Sequence, residues 1–289
     1  MLKAIKSNIS VVIQKSLMAL SPSAYKNRYL KQYMNLSWNN YDENKVEYEM
    51  LLLPYFLNAD AVFFDVGCNI GSFTLIANKS IAQNQIHAFE PIPELNQRLH
   101  KIFPNAHIHS LALSNAKLKT QFKIPKINHT QLLTRGTLNT HFVEANEQGF
   151  IKIDVQTNTL DNFVTENNIK KIDVIKIDVE GHEHEVIKGA LHSLSAYKPI
   201  LIIEIEQRHH TIDIATIIND VKQMEYRCFY FDSSTFHLSE LSQDPIKLQE
   251  KEHFEKSRKY VHNFIFIPTA KVEANYVDSI NQRIASDRL

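Results

Sequence analysis

In the first twenty positions Leu2, Ile5, Ile9, Val12, Ile13, Leu17 and Leu20 recur at helical spacing, with Lys3, Lys6 and Lys15 off that stripe. The pattern predicts an amphipathic helix ended by Ser21-Pro22, packed on the domain or on a second copy, or lying as a basic helix on a membrane surface. Tyr25, Tyr29 and Tyr33 then repeat every four residues, followed by Trp38 and Tyr41, which fits helix packing better than a ligand cage. From residue 60 short apolar runs alternate with helical stretches, as in βαβ units on a parallel sheet. Strands are predicted at 61–64, 85–89, 107–111, 173–177 and 200–205, and helices at 72–78, 93–103, 183–194 and 212–224. Residues 227–231 and 263–267 are expected to pair as two final strands. About sixty residues separate the third and fourth core strands, far more than a usual βα loop. Within them 118–124 and 150–157 alternate apolar and polar residues, which predicts two extra strands around a polar loop at 128–149.

A chain of 289 residues with 44% hydrophobic content can bury one full α/β core. Thirty-two basic residues balance thirty-two acidic ones, so no net field draws the whole protein to nucleic acid, and none is expected as a partner. Only Cys68 and Cys228 are present, which excludes a disulfide scaffold and fits a reducing, cytoplasmic setting. Gln14 and Lys15 interrupt the first apolar run before it reaches signal or membrane-spanning length.

Candidate chemistry begins where the first predicted strand ends, at Asp65-Val66-Gly67-Cys68-Asn69-Ile70-Gly71. Such a turn brings backbone amides and a helix start to the carboxyl edge of the sheet, where open α/β sheets bind ligands. Its Gly-x-x-x-Gly spacing lacks the tighter glycine fingerprint of dinucleotide sites, which disfavours a nicotinamide ligand. Glu90 closes the second predicted strand nineteen residues after Gly71, where a carboxylate can accept hydrogen bonds from both ribose hydroxyls. Turn and acid together point to an adenosine-type ligand.

Three stretches carry a resemblance: Phe64 through Gly71, Phe89-Glu90-Pro91, and above all Ile172-Asp173-Val174-Ile175-Lys176-Ile177-Asp178-Val179-Glu180-Gly181-His182-Glu183, continuing to Gly189-Ala190. Over about residues 60 to 270 the chain resembles the FkbM family of S-adenosylmethionine-dependent methyltransferases. The resemblance implies a Rossmann-like, seven-stranded class I sheet flanked by helices, carrying here an inserted hairpin and an N-terminal helical extension. It divides the chain into an extension at 1–45, a methyltransferase domain at 46–270 and a C-terminal tail at 271–289. It also implies S-adenosyl-L-methionine as cofactor, with Asp65, Gly67, Asn69 and Gly71 near its amino acid portion and Glu90 on the ribose. Pro91, Ile92, Ser110 and Leu111 would line the adenine. Family members commonly methylate hydroxyl oxygens, so a sugar, glycan or other small natural product is the expected acceptor.

A hydroxyl is a poor nucleophile until it loses its proton, so a general base is required beside the methyl. Candidates cluster just past the fourth core strand: Asp178 at its carboxyl end, Glu180, and His182, which can titrate near neutrality. Glu183 at a helix start suits the dipole without any further role, and His184 ranks below His182. A metal could use Asp178, Glu180, His182 and His184, but the pairs His182/His184 and His209/His210 do not reproduce a zincin helix, and no metal is expected. Glu204 and Glu206 end the next strand and are expected on one side of it. The insertion at 115–157 is the expected lid, with Lys126, Arg135, Asn139 and His141 available to grip a polar acceptor. Two rival functions share the sheet: an NAD-dependent oxidoreductase, and a non-catalytic nucleotide- or glycan-binding module docked through the N-terminal helix, a segment that also suits homodimer or peripheral membrane contact.

Overall fold

The computed structural model describes residues 20–41, 46–250 and 260–289. Apart from Leu20, the amphipathic helix expected at the N-terminus lies outside the described residues. The first helices, α1 (Pro22–Tyr29) and α2 (Lys31–Met34), are separated by Leu30, and α3 (Tyr48–Phe56) leads into the sheet. The nucleotide-binding half follows as β1 (Phe63–Val66), α4 (Ser72–Ala77), β2 (Ile86–Phe89), α5 (Pro93–Ile102) and β3 (His107–His109). Next comes the insertion, with β4 (Ala112–Leu113), β5 (Lys119–Ile127), β6 (Thr130–Gln131) and β7 (Glu147–Asn158). The second half runs α6 (Leu160–Glu166), β8 (Val174–Ile177), α7 (Glu183–Lys188), α8 (Leu191–Tyr197), β9 (Ile200–Glu204), α9 (Ile214–Lys222), β10 (Tyr226–Asp232) and β11 (His237–Glu240). It closes with β12 (Asn263–Pro268), α10 (Thr269–Glu273) and α11 (Tyr276–Asp287).

Among the described residues the main sheet has the order β11-β10-β12-β9-β8-β1-β2-β3. The five strands from β9 to β3 are parallel; β12 runs antiparallel to β9, and β10 pairs antiparallel with β12 as expected, which returns it to the direction of the five. The seven expected strands are joined by an eighth, β11, the return arm of a hairpin on β10 at the edge. The reversal of order lies between β1 and β8, so their carboxyl ends open the crevice where such sheets take ligands.

Both faces are covered, and period-two alternation sorts the side chains between them. Phe63, Val174, Ile200, Ile202, Ile265 and Ile267 enter one core with α3, α4 and α11. Phe64, Ile175, Ile177, Leu201, Ile203, Phe264 and Phe266 enter the other with α6 to α9. The same parity puts Asp65, Lys176, Glu204 and Asn263 on the first face, a polar seam beneath the carboxyl edge. Trp38 packs on Tyr41, Phe231 and Phe236, and its Nε1–H donates to the Tyr55 hydroxyl at 2.9 Å. Val277, Ile280 and Ile284 of α11 are buried in that core too.

One expected helix is two. The run predicted at 183–194 breaks at Gly189-Ala190, where a Cβ on Gly189 would sit 2.0 Å from the Ser114 carbonyl oxygen. The chain bends there because the insertion's first segment passes against it.

Candidate active site

Gly67 leaves β1 at φ +78°, and a Cβ there would lie 1.8 Å from the Asp178 carbonyl oxygen, so only glycine lets the two strand ends meet. The Gly67 and Cys68 N–H groups both donate to the Phe89 carbonyl, at 3.1 Å, which fixes the turn on the end of β2. Gly71 then opens α4. Asp65 lies beneath this turn, buried, and accepts a hydrogen bond from the Thr74 hydroxyl at 2.7 Å; burial pushes its pKa up to about 6.

Glu90 is almost fully buried. Its Oε2 accepts from the Asn69 N–H at 3.0 Å and its Oε1 from the Ile92 N–H at 2.8 Å. Burial raises its pKa to about 8, and the two amide donors offset only part of that cost. A cleft of about 550 Å³ opens beside it. One wall is apolar, with Ile92, Leu111, Phe122, Leu133 and Leu138; the other carries Asp178, Glu180 and His182.

Gly67, Asn69, Glu90, Pro91 and Leu111 line this cleft together with the three expected catalytic residues. Asp65, Gly71 and Ser110 are not in its wall, and Ser110 is exposed. The insertion contributes Phe122, Leu133, Thr134, Gly136 and Leu138, which strand and loop periodicity could not place.

Past β8 the chain turns at Asp178-Val179-Glu180-Gly181, with Glu180 itself at φ +53°. Asp178 stands 3.8 Å from the Nζ of Lys176, which is wholly buried and donates to Asn263 Oδ1 at 2.9 Å. Burial alone would discharge that ammonium, but Asp178, Glu204, Glu47 and Glu49 around it hold its pKa above the usual value. Asp178 and Glu204 are pushed up, by burial first and then by carboxylate repulsion. Glu180 is raised to about 8 by burial and by Asp178, against the pull of Arg135, whose Nη1 lies 3.2 Å from Glu180 Oε2. His182 Nε2 is 2.9 Å from the Ser114 hydroxyl, and burial lowers its pKa.

The neighbouring polar residues are structural. Glu183 accepts from the Val179 and Gly181 N–H groups at 3.1 and 3.0 Å and so staples the turn shut. His184 faces Asp220 at 2.8 Å, away from the cleft. Of the four residues considered for grip, Arg135 pairs with Glu180, Asn139 donates to the His209 carbonyl at 3.1 Å, and His141 is exposed. Glu206 does not share the surroundings of Glu204: it is claimed by Arg208 and by the Tyr260 hydroxyl, because the chain leaves β9 at Glu204. His209, in the turn Gln207–His209, and Glu144, in the insertion, gather beside Glu180 without lining the cleft themselves. No sequence motif announced either, since three distant loops bring them together.

The cleft fits S-adenosylmethionine on its own residues. Asn69 Oδ1 is buried without a hydrogen-bond partner at the cleft wall, Glu90 offers its carboxyl oxygens to a diol, and apolar side chains line the cleft together with acidic ones. A parallel sheet with a nucleoside-type cleft at its reversal and acids across from it defines a class I methyltransferase domain. The family model for "Methyltransferase FkbM domain" matches residues 65–228, and the chain belongs to that family.

The chain is 30% identical over 145 residues to Methyltransferase 1 of Beauveria bassiana, covering 45% of this chain and 58% of that protein. It is 27% identical over 208 residues to the hexuronic acid methyltransferase AglP of Haloferax volcanii, covering 72% and 82%. The crystal structure of an FkbM methyltransferase from Methylobacillus flagellatus superposes with a TM-score of 0.45 at 14% identity, covering 89% of this chain and 58% of that one. The chain thus spans 58% of the length of the first of these relatives. No helix among the described residues is long and apolar enough to cross a membrane.

Proposed function

We propose that the chain transfers a methyl group from S-adenosylmethionine to a hydroxyl oxygen of a sugar, glycan or other small natural product. One observation carries this: a single cleft sets Glu90 and the Gly67 turn against Asp178 and Glu180. The likeness to a hexuronic acid methyltransferase supports an acceptor of the sugar kind.

Bound in the cleft, the cofactor would supply an electrophilic sulfonium methyl. Glu90 would take the ribose hydroxyls, and Ile92, Leu111 and Leu133 would exclude water from the base. Asp178 and Glu180 would hold the acceptor hydroxyl and take its proton, so that its oxygen attacks in line. Lys176 would keep Asp178 in place through its buried ammonium. His182 is the remaining base on that wall, with its Nε2 engaged by Ser114.

Calorimetry with S-adenosylmethionine and with NAD separates the cofactor classes, and mass spectrometry of sugar acceptors detects an added methyl. Asp178→Ala and Glu180→Ala are each expected to lower turnover by at least a hundredfold while the cofactor still binds. Near-normal rates in both would remove them from the mechanism.

A further inference from the structure

Beside Glu180, Glu144 and His209 complete a small polar cluster. One ligand atom from each of the three residues lies within 4.8 Å of the others. They come from the insertion, the turn after β8 and the turn after β9, so the fold rather than a local motif assembles them. His209 is 4% exposed, and its Nε2 is buried with no hydrogen-bond partner; the nearest carboxylate oxygen, Glu180 Oε2, stands off at 3.7 Å. A buried ring nitrogen left unpaired is costly and uncommon, and this one points among carboxylates. Its ring is pinned by the edge of Phe142 at 4.6 Å between centroids and by Asn139 on its carbonyl.

The two arginines nearby do not use the cluster up. Arg208 is held by Glu206 through two hydrogen bonds of 2.8 Å, and only its Nη1 reaches Glu144, at 3.1 Å. Arg135 touches Glu180 through one oxygen. Glu144, Glu180 and Glu206 set three carboxyl groups against two guanidinium groups.

We propose that Glu144, Glu180 and His209 form a binding site for a divalent transition-metal ion, Mn²⁺ or Zn²⁺, which shares Glu180 with the cleft. One imidazole nitrogen with two carboxylates suits these ions better than Ca²⁺ or Mg²⁺, which take oxygen ligands. An ion there ties the insertion to the turns after β8 and β9, and Glu180 connects it to the cleft. The site does not depend on the methyl-transfer proposal, because it is read by metal binding alone. A second trio, Glu47, Glu204 and His262, also gathers ligand atoms within 4.8 Å, but it surrounds the Lys176 ammonium and has no unpartnered buried atom.

The test is titration of the full chain, stripped with a chelator and dialysed, with MnCl₂ and with ZnCl₂, by calorimetry and by electron paramagnetic resonance of Mn²⁺. One equivalent is expected to bind to the unmodified chain, at least tenfold more weakly to Glu144→Gln and to His209→Ala, and unchanged to His262→Ala. Circular dichroism checks folding. Glu144→Gln keeps the side chain's shape on a loop and decides the matter alone if His209→Ala fails to fold. The site is overturned if neither ion binds, if both variants bind like the unmodified chain, or if His262→Ala is the one that loses the ion.

Discussion

Glu90 holds two backbone amides with a carboxylate that burial pushes up to about 8, so it organises the turn after β2 even before any ligand arrives. Replacing it with alanine leaves the Asn69 and Ile92 N–H groups unpaired and removes the acceptor for a ribose. Each of the two ribose hydrogen bonds contributes about 0.5–1.5 kcal/mol net, so Glu90→Ala is expected to weaken S-adenosylmethionine binding roughly tenfold to a hundredfold, as measured by calorimetry. An unchanged affinity would detach Glu90 from the cofactor. Glu90 was legible because it stands at a strand end at a telling distance from the glycine turn, and Asp178, Glu180 and His182 because they follow a buried strand. The grouping of Glu144 and His209 with Glu180 was not, because the three stand in separate stretches of the chain and only the tertiary fold gives them a common neighbour.

At the level of elements, the insertion shows what periodicity can and cannot locate. Alternation predicted strands at 118–124 and 150–157, and β5 and β7 pair antiparallel across that region from Lys119↔Gln156 to Ile127↔Glu147. The pattern could not show that this hairpin lays Phe122 in the cleft wall, or that Gly189 splits a helix to let Ser114 pass. Those outcomes depend on which elements meet. The hairpin is fastened by an ion pair between Lys123 Nζ and Glu147 Oε1 at 3.0 Å, both side chains nearly inaccessible, with the same ammonium donating to the Phe142 carbonyl. Removing one partner of a buried pair strands the other charge at a cost of about 3–5 kcal/mol. Lys123→Ala is therefore expected to be destabilising on that scale in urea denaturation, whereas Lys123→Met with Glu147→Leu should recover most of the loss. If the double variant is no better than the single one, the ion pair does not fasten the hairpin.

Across the whole molecule, the parallel sheet collects carboxylates at one edge and histidines at another, and their opposed shifts set how stability depends on pH. Burial raises Glu49 to about 7 and Glu90 to about 8, so the folded chain holds protons on them that the unfolded chain has released above about 4.5. Their contribution is present at low pH and is lost as pH rises through about 7 and 8. Glu180, raised to about 8, contributes as Glu90 does, and Asp178 and Glu204, also raised, act in the same direction. On β2 and β3, His87 and His109 stack with ring centroids 5.4 Å apart, and burial lowers them to about 3 and about 4. These histidines stay neutral in the fold while the unfolded chain protonates them below about 6.5, so they favour the fold as pH climbs to that point and are silent above it. Above pH 6.5 only the carboxylates remain in play. The cofactor-free chain is therefore expected to lose on the order of 4 kcal/mol between pH 6.5 and 8.5, seen in calorimetric scans as a Tm lower by roughly 10 °C. Glu90→Gln, which cannot ionise, should flatten much of that decline. A Tm that holds steady or rises over this interval would mean that the carboxylates of the cleft are ionised in the free protein at neutral pH.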